Sequence, residues 1–315
     1  MTRRAVDGWA EIAFWVALAA AVFALPDRLA LMSQILIVGL FAVSLDLMLG
    51  YAGILSIGHA AFFGAGAYTA GLLARHGWGE PLSGLLAAAA VCAVLGHLLG
   101  RLVGRGADLT RLTITLGICM LATELVNRLA DLTGGTDGLQ GVAMWPVLGL
   151  FDFDLQGRTA FVYSFVVVLL VFMAVRRVVG SPFGLALVGI RDNPERMRAI
   201  GSPVTARLRT VCTLSAAVAG LAGALLAQTT QFVGIESIGF ERSAEVLIVL
   251  VLGGTGRLYG GLVGALVYMA VHDAFADLDP AYWMFGLGLF LIAAALAGRG
   301  GLLGALAHLT QRRRP

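Results

Sequence analysis

The chain contains no lysine: all 22 of its basic residues are arginine. This absence excludes two chemistries. A phosphate-binding loop needs a lysine to reach the β- and γ-phosphates, and Schiff-base catalysis needs a lysine amine. If ATP drives this protein, another chain must hydrolyse it. Charge of either sign is also scarce, at 13% of residues against roughly 25% for a soluble domain. A soluble chain of 315 residues could not cover its surface with so few charges. Cysteine is limited to Cys92, Cys119 and Cys212, all in apolar stretches and far apart. No CxxC, HExxH or clustered His/Cys spacing signals a metal, and no cofactor or nucleic-acid partner is expected.

What the chain does have is apolar residues, 59%, and 42 glycines. Glycine at this density suits helices that approach closely in lipid. The fold class expected is all-α, a polytopic transmembrane helical bundle forming one membrane domain over residues 1–315. Trp9 to Leu25 contains Glu11 and runs into Pro26-Asp27-Arg28 without a small-residue cleavage site, so it is read as a retained first span.

At roughly 20 apolar residues per span, spans are placed near 9–25, 29–49, 57–74, 82–102, 112–130, 160–179, 210–230, 243–255, 258–276 and 282–298. The count is ten, with eight as the alternative. Arginine excess marks the cytoplasmic side. Arg3, Arg4, Arg101, Arg105, Arg111, Arg176, Arg177, Arg191, Arg196, Arg198, Arg207, Arg209, Arg257, Arg299 and Arg312 to Arg314 fall on one side. Arg28, Arg75, Arg128, Arg158 and Arg242 fall on the other, with Glu80, Asp131, Asp137, Asp152, Asp154, Glu236, Glu241, Asp277 and Asp279. Both termini are therefore expected in the cytoplasm.

Two loops exceed simple connections: residues 131–159 outside and 180–209 inside. The inner loop carries two helix-start patterns, Ser181-Pro182 and Asn193-Pro194-Glu195, with Gly201 as a stop. Two short helices at the membrane face are expected, with Leu185, Leu187, Ile190, Met197 and Ile200 set among charges. Such a surface suits a protein partner, although a solvated linker has the same pattern. The stretch from Gly50 to Tyr68 holds glycines 50, 53, 58, 64 and 66 beside Ser56 and His59. Glycines this dense break helices, and broken helices in membranes are buried or line cavities. A faint repeat is also visible, Leu49-Gly-Tyr-Ala-Gly53 against Leu252-Gly-Gly-Thr-Gly256.

Five blocks, LGYAGILSIGHAAFFGAGAYTAG (49–71), GGTDG (134–138), SPFGLALVGIRDNPERMRAIG (181–201), LSAAVAGLAGALLA (214–227) and RSAEVLIVLVLGG (242–254), resemble those of bacterial branched-chain amino acid importer permeases of the LivM-like branch. The closing Gly298-Arg-Gly-Gly-Leu-Leu-Gly304 lacks a proline often found there. The resemblance implies a multi-pass inner-membrane subunit of an ATP-binding-cassette importer. Its implied partners are a second permease chain in a heterodimer, two ATP-binding subunits carrying ATP-Mg, and a periplasmic solute-binding protein. It makes 180–209 the coupling loop, with Gly184, Arg191, Asp192, Asn193, Glu195 and Gly201 facing the ATP-binding subunit. Tyr51, Gly53, Ser56, Gly58, His59 and Glu245 are candidates for the solute path.

Other intramembrane charges have local readings. Asp46 is placed near an inner span end, reaching the interface. Glu124 and Arg128 are placed as a pair four residues apart, and Asp273 near an outer end. The competing function is an ion-coupled secondary transporter using Asp46, Glu124, Glu245 or Asp273 without an ATPase. A membrane-embedded enzyme lacks any nucleophile–base or metal constellation.

Overall fold

The structure, a computed structural model, describes residues 2–24, 26–103, 108–154, 156–278, 282–297 and 301, 302 and 304. Arg105, Asp279, Arg299 and Arg312 to Arg314 lie outside the described residues, as do the side chains of Arg3 and Arg4. Each expected span coincides with a helix. These are α1 (Thr2–Ala24), α2 (Leu29–Asp46), α3 (Ala60–Arg75), α4 (Pro81–Val103), α5 (Asp108–Arg128), α7 (Arg158–Val179), α10 (Val204–Thr230), α11 (Phe240–Gly253), α12 (Leu258–Leu278) and α13 (Trp283–Ala297). Three short helices, α6 (Ala130–Thr133), α8 (Pro182–Asp192) and α9 (Pro194–Ala199), lie in the two long loops.

Among the described residues, six helices are long and apolar enough to cross a membrane: the α2 region, α4, α5, α7, α10 and α12. Helices α3, with 16 residues, and α11, with 14, are shorter than a full crossing. Their shortness has a local cause. The span expected from residue 57 begins only at Ala60, because residues 52–59 form a non-helical segment whose residues alternate between buried and half-buried. The loop expected over 180–209 is likewise shorter, since α10 already begins at Val204.

Small residues bring the central helices together. The α2 region is 83% buried along its apolar window, against 17% for α5, so α2 is central and α5 peripheral. A methyl group at Gly66 would overlap the Gly220 carbonyl, and one at Gly223 would overlap the Phe63 carbonyl, so α3 and α10 meet backbone to backbone. A methyl group at Gly39 would stand 2.8 Å from the Leu262 side chain and one at Gly261 would stand 2.8 Å from the Val43 nitrogen, which seats α12 on α2. In lipid, where exposed apolar surface gains nothing from association, this close packing is the main cohesive force. Leu86, Val94, Leu98, Met120, Leu121, Leu125 and Leu170 point away from the core as an apolar outer face.

Long-range contacts sort the chain into two faces. On one, Arg176 at the end of α7 pairs with Glu11 of α1, and Arg191 of α8 reaches the end of the α2 region. On the other, Arg28 pairs with Asp273 at 2.6 Å, beside Asp277. There Leu139 of the 131–159 loop also forms a β-bridge with Val233, just beyond α10.

Candidate functional site: a glycine junction beneath two interfacial helices

The α2 helix ends in a π-helical turn, Leu47–Tyr51, which closes at Gly53 with φ +71°. The α11 helix ends at Gly253, and its following loop closes at Gly256 with φ +72°. Gly53 and Gly256 occupy the same place in the two LG-x-x-G repeats. Both take the left-handed region, which L-residues with a Cβ adopt only with strain. The repeat seen in sequence is thus a repeat of backbone geometry.

The two turns also meet. Asp46 Oδ1 accepts a hydrogen bond from the Gly256 backbone N–H at 2.7 Å, and the Tyr51 hydroxyl meets the Leu258 backbone. A methyl group at Gly50 would overlap both Asp46 and Gly256. Asp46 is fully buried. It does not reach the interface as expected from its position near a span end; the π-turn swings it inward, onto the second glycine loop.

Arg191 completes this junction. Its Nη1 donates to the Gly50 carbonyl at 2.5 Å, and its aliphatic stem lies 2.7 Å from where a Gly53 methyl would stand. The same guanidinium bonds Asp192 Oδ1 at 3.1 Å. Arg191 therefore differs from the other charged coupling candidates: its guanidinium reaches the end of the α2 region, although the side chain stays 38% exposed.

Leu187 and Ile190 of α8 are buried, and the remaining charged residues of α8 and α9 face outward. Asn193 caps α9, its Oδ1 accepting from the Arg196 N–H at 2.9 Å. Ser181 occupies the N-cap position of α8 without capping it, because its hydroxyl turns back to the Val178 carbonyl at 2.6 Å. Gly201 has φ +83°. Its N–H bonds Arg198 O at 2.9 Å and that of Ser202 bonds Met197 O at 3.0 Å, the two bonds of a Schellman stop. Gly184 is buried, and a methyl there would overlap the Val179 carbonyl, which packs α8 tightly against the end of α7. Asp192, Asn193 and Glu195 are exposed, Glu195 paired with Arg198. Leu185 and Ile200 are each 72% exposed, so two apolar anchors stand free amid charge.

The remaining path candidates fall in two places. Gly58 lies against the Thr115 carbonyl of α5, and Ile57 N–H bonds Thr115 Oγ1 at 3.3 Å. His59 is fully buried, its Nε2 2.8 Å from Ser44 Oγ and 3.4 Å from Ser215 Oγ, with its ring stacked on Phe41. Among the described residues, the buried Ser56 Oγ and His59 Nδ1 have no hydrogen-bond partner. Glu245 is distant in sequence and forms an ion pair with Arg242 at 2.6 Å. Gln34, Arg242 and His272 share a cavity with Glu245. Sequence reading missed Gln34 and His272, although a glutamine inside the apolar run of residues 29–46 was a usable signal. It also missed Gln228, which ties Tyr163 and the Pro81 carbonyl together at 2.8 Å each.

A glycine-packed bundle with six helices long and apolar enough to cross a membrane defines a multi-pass helical membrane protein. The chain belongs to the family described as branched-chain amino acid transport system / permease component, whose family model matches residues 28–303. It is 30% identical to the high-affinity branched-chain amino acid transport system permease protein LivM of Escherichia coli, over 84% of this chain and 67% of that protein. It is also 30% identical to LivM of Salmonella typhimurium, over 87% and 69%. It is 28% identical to the fructose import permease protein FrcC of Rhizobium meliloti, over 90% and 80%. No solved structure matches it. The protein resides in the inner membrane, and the chain itself carries no catalytic activity.

Proposed function

We propose that the chain is the transmembrane permease subunit of an ATP-binding-cassette importer for branched-chain amino acids or related small solutes. It crosses the membrane ten times with both termini cytoplasmic, pairs with a second permease chain, and works with two ATP-binding subunits and a periplasmic binding protein. ATP-Mg sits on the partners. The face sorting of Glu11–Arg176 against Arg28–Asp273 supports this orientation. The short α3 is extended by the largely buried segment 52–59, as membranes allow for irregular backbone enclosed in protein.

The observation that carries this reading is Arg191. The α8–α9 pair presents Leu185, Ile200 and a charged rim outward, while Arg191 reaches from the same element into the glycine junction. A partner that moves α8–α9 on binding ATP thereby moves the end of α2 and the loop after α11. An ion-coupled carrier would need a carboxylate free to exchange its ion. Glu124 is held by Arg128, Glu245 by Arg242 and Asp273 by Arg28, and Asp46 accepts the Gly256 N–H through Oδ1, its Oδ2 buried without a partner among the described residues. The test is co-purification of this chain with its ATP-binding subunits before and after replacing Leu185 and Ile200 together with serine. The wild type retains them and the double variant releases them; equal retention by both contradicts the docking assignment.

A further inference from the structure

Helices α2, α10, α11 and α12 enclose a polar space distinct from the glycine junction. Its volume is about 230 Å³, and its polar wall is Gln34, Arg242, Glu245 and His272. Val38 and Met269 belong to its apolar wall. This is smaller than the ~300–1,000 Å³ of pockets for drug-sized ligands, so it takes a small solute.

The ion pair at its wall is not accounted for by stability. Arg242 and Glu245 lie three residues apart on α11 and are each only 23% exposed. A pair at that spacing stabilises a helix by a few tenths of a kcal/mol, whereas charges withdrawn from water in a membrane are costly. Apolar side chains of similar size would hold α11 at least as well. Arg242 is further positioned by the face of Phe63, 5.4 Å from its guanidinium.

The charges at this wall decide what can enter. Arg242 and Glu245 are one cation and one anion side by side, which offset each other. A solute with net charge of either sign would leave an unbalanced charge in a low-dielectric space. A solute carrying an ammonium and a carboxylate on one carbon can instead separate the pair and satisfy both members. The planar Arg fork suits a carboxylate, and the carboxylate of Glu245 suits an ammonium. The apolar wall then receives the remainder of the solute.

We propose that this cavity is a solute-binding station for small zwitterions with an apolar side chain, Arg242 holding the carboxylate and Glu245 the ammonium group. The inference rests on the importer reading above and adds selectivity at the permease itself. It also separates this chain from a sugar permease, since an uncharged polyol gains nothing from separating the pair.

The test is equilibrium binding of radiolabelled leucine to the assembled, nucleotide-free complex in nanodiscs without the binding protein. Competitors are 4-methylpentanoate, which lacks the ammonium group, 3-methylbutylamine, which lacks the carboxylate, and fructose. Leucine is expected to bind saturably. Each single-charge analogue and each of Arg242→Gln and Glu245→Gln should weaken binding about tenfold or more, the scale of one lost charge-assisted hydrogen bond. Val38→Phe narrows the cavity without touching charge and should weaken leucine more than glycine. If a glutamine variant fails to assemble, the competitor series and Val38→Phe still decide. The proposal is overturned if wild type binds no leucine, if the variants bind as wild type, or if 4-methylpentanoate or fructose competes as well as leucine. ATP-driven uptake by the same preparation is read separately. Uptake without leucine binding sinks this site alone, and absence of any ATP-driven uptake sinks the importer reading.

Discussion

Three side chains carry most of the argument at the residue scale, and two of them point where sequence position alone does not place them. Asp46 lies at the end of an apolar run and reads as interfacial, but the π-turn buries it on Gly256. Arg191 lies in a charged loop and reads as a docking residue, but it enters the glycine junction. Side-chain direction here is set by tertiary contacts between segments some 140 and 210 residues apart, which no local pattern encodes. His59 is buried where its apolar surroundings place it, its ring on Phe41 and Nε2 beside Ser44, with Nδ1 unpartnered among the described residues. Arg191→Gln should lose a charge-assisted hydrogen bond of about 1.5–3 kcal/mol, leaving the complex assembled while solute moved per ATP falls sharply. Arg191→Lys should recover part of that ratio. An unchanged ratio in Arg191→Gln would remove Arg191 from the transmission path. Gly53→Leu should be more damaging still, because it forces a left-handed φ on leucine and displaces the Arg191 stem. Gly58→Leu drives into the Thr115 backbone. Uptake should fail in both while Gly117→Leu, which meets nothing within 4 Å, transports normally. Exposed Gly77 is an unsuitable control, since its φ of +88° strains any side chain.

At the scale of elements, hydropathy and arginine placement made ten helices legible, and capping chemistry made α8 and α9 legible within a loop. Asn193 caps as its residue type implies, and Gly201 takes the left-handed stop. Ser181 does not cap, because a hydroxyl one turn beyond α7 can equally satisfy that helix's last carbonyls. The non-helical 52–59 segment was signalled by its glycines, but its boundaries were not, since they depend on contact with α5. The echo of LGYAG in LGGTG was visible; that the two turns touch was not. Gly201→Val should cost roughly 1 kcal/mol or more of backbone strain and misplace α9 without affecting insertion. Glu195→Arg should remove the Arg198 pair and add positive charge to the docking face. Both should reduce co-purification with the ATP-binding subunit or solute-stimulated ATPase activity. Wild-type values for both variants would leave α8–α9 as a linker.

At the scale of the whole molecule, the account is of a passive pathway gated from outside the chain. The topology can be read directly. Cys92, Cys119 and Cys212 are buried, so cysteines introduced at exposed sites can be labelled over a quiet background. A cysteine at Glu195 should react only with a reagent applied from the cytoplasmic side, and one at exposed Gln140 only from the periplasmic side; the reverse pattern would invert the orientation. The central claim is that this chain conducts solute while other chains hydrolyse ATP. Its most direct test is solute uptake into proteoliposomes holding the purified chain with its second permease, its ATP-binding subunits and its binding protein. Uptake should require ATP and every one of those components, and the purified chain alone should turn over no ATP. Uptake that persists without the ATP-binding subunits, driven by an ion gradient instead, would contradict the account.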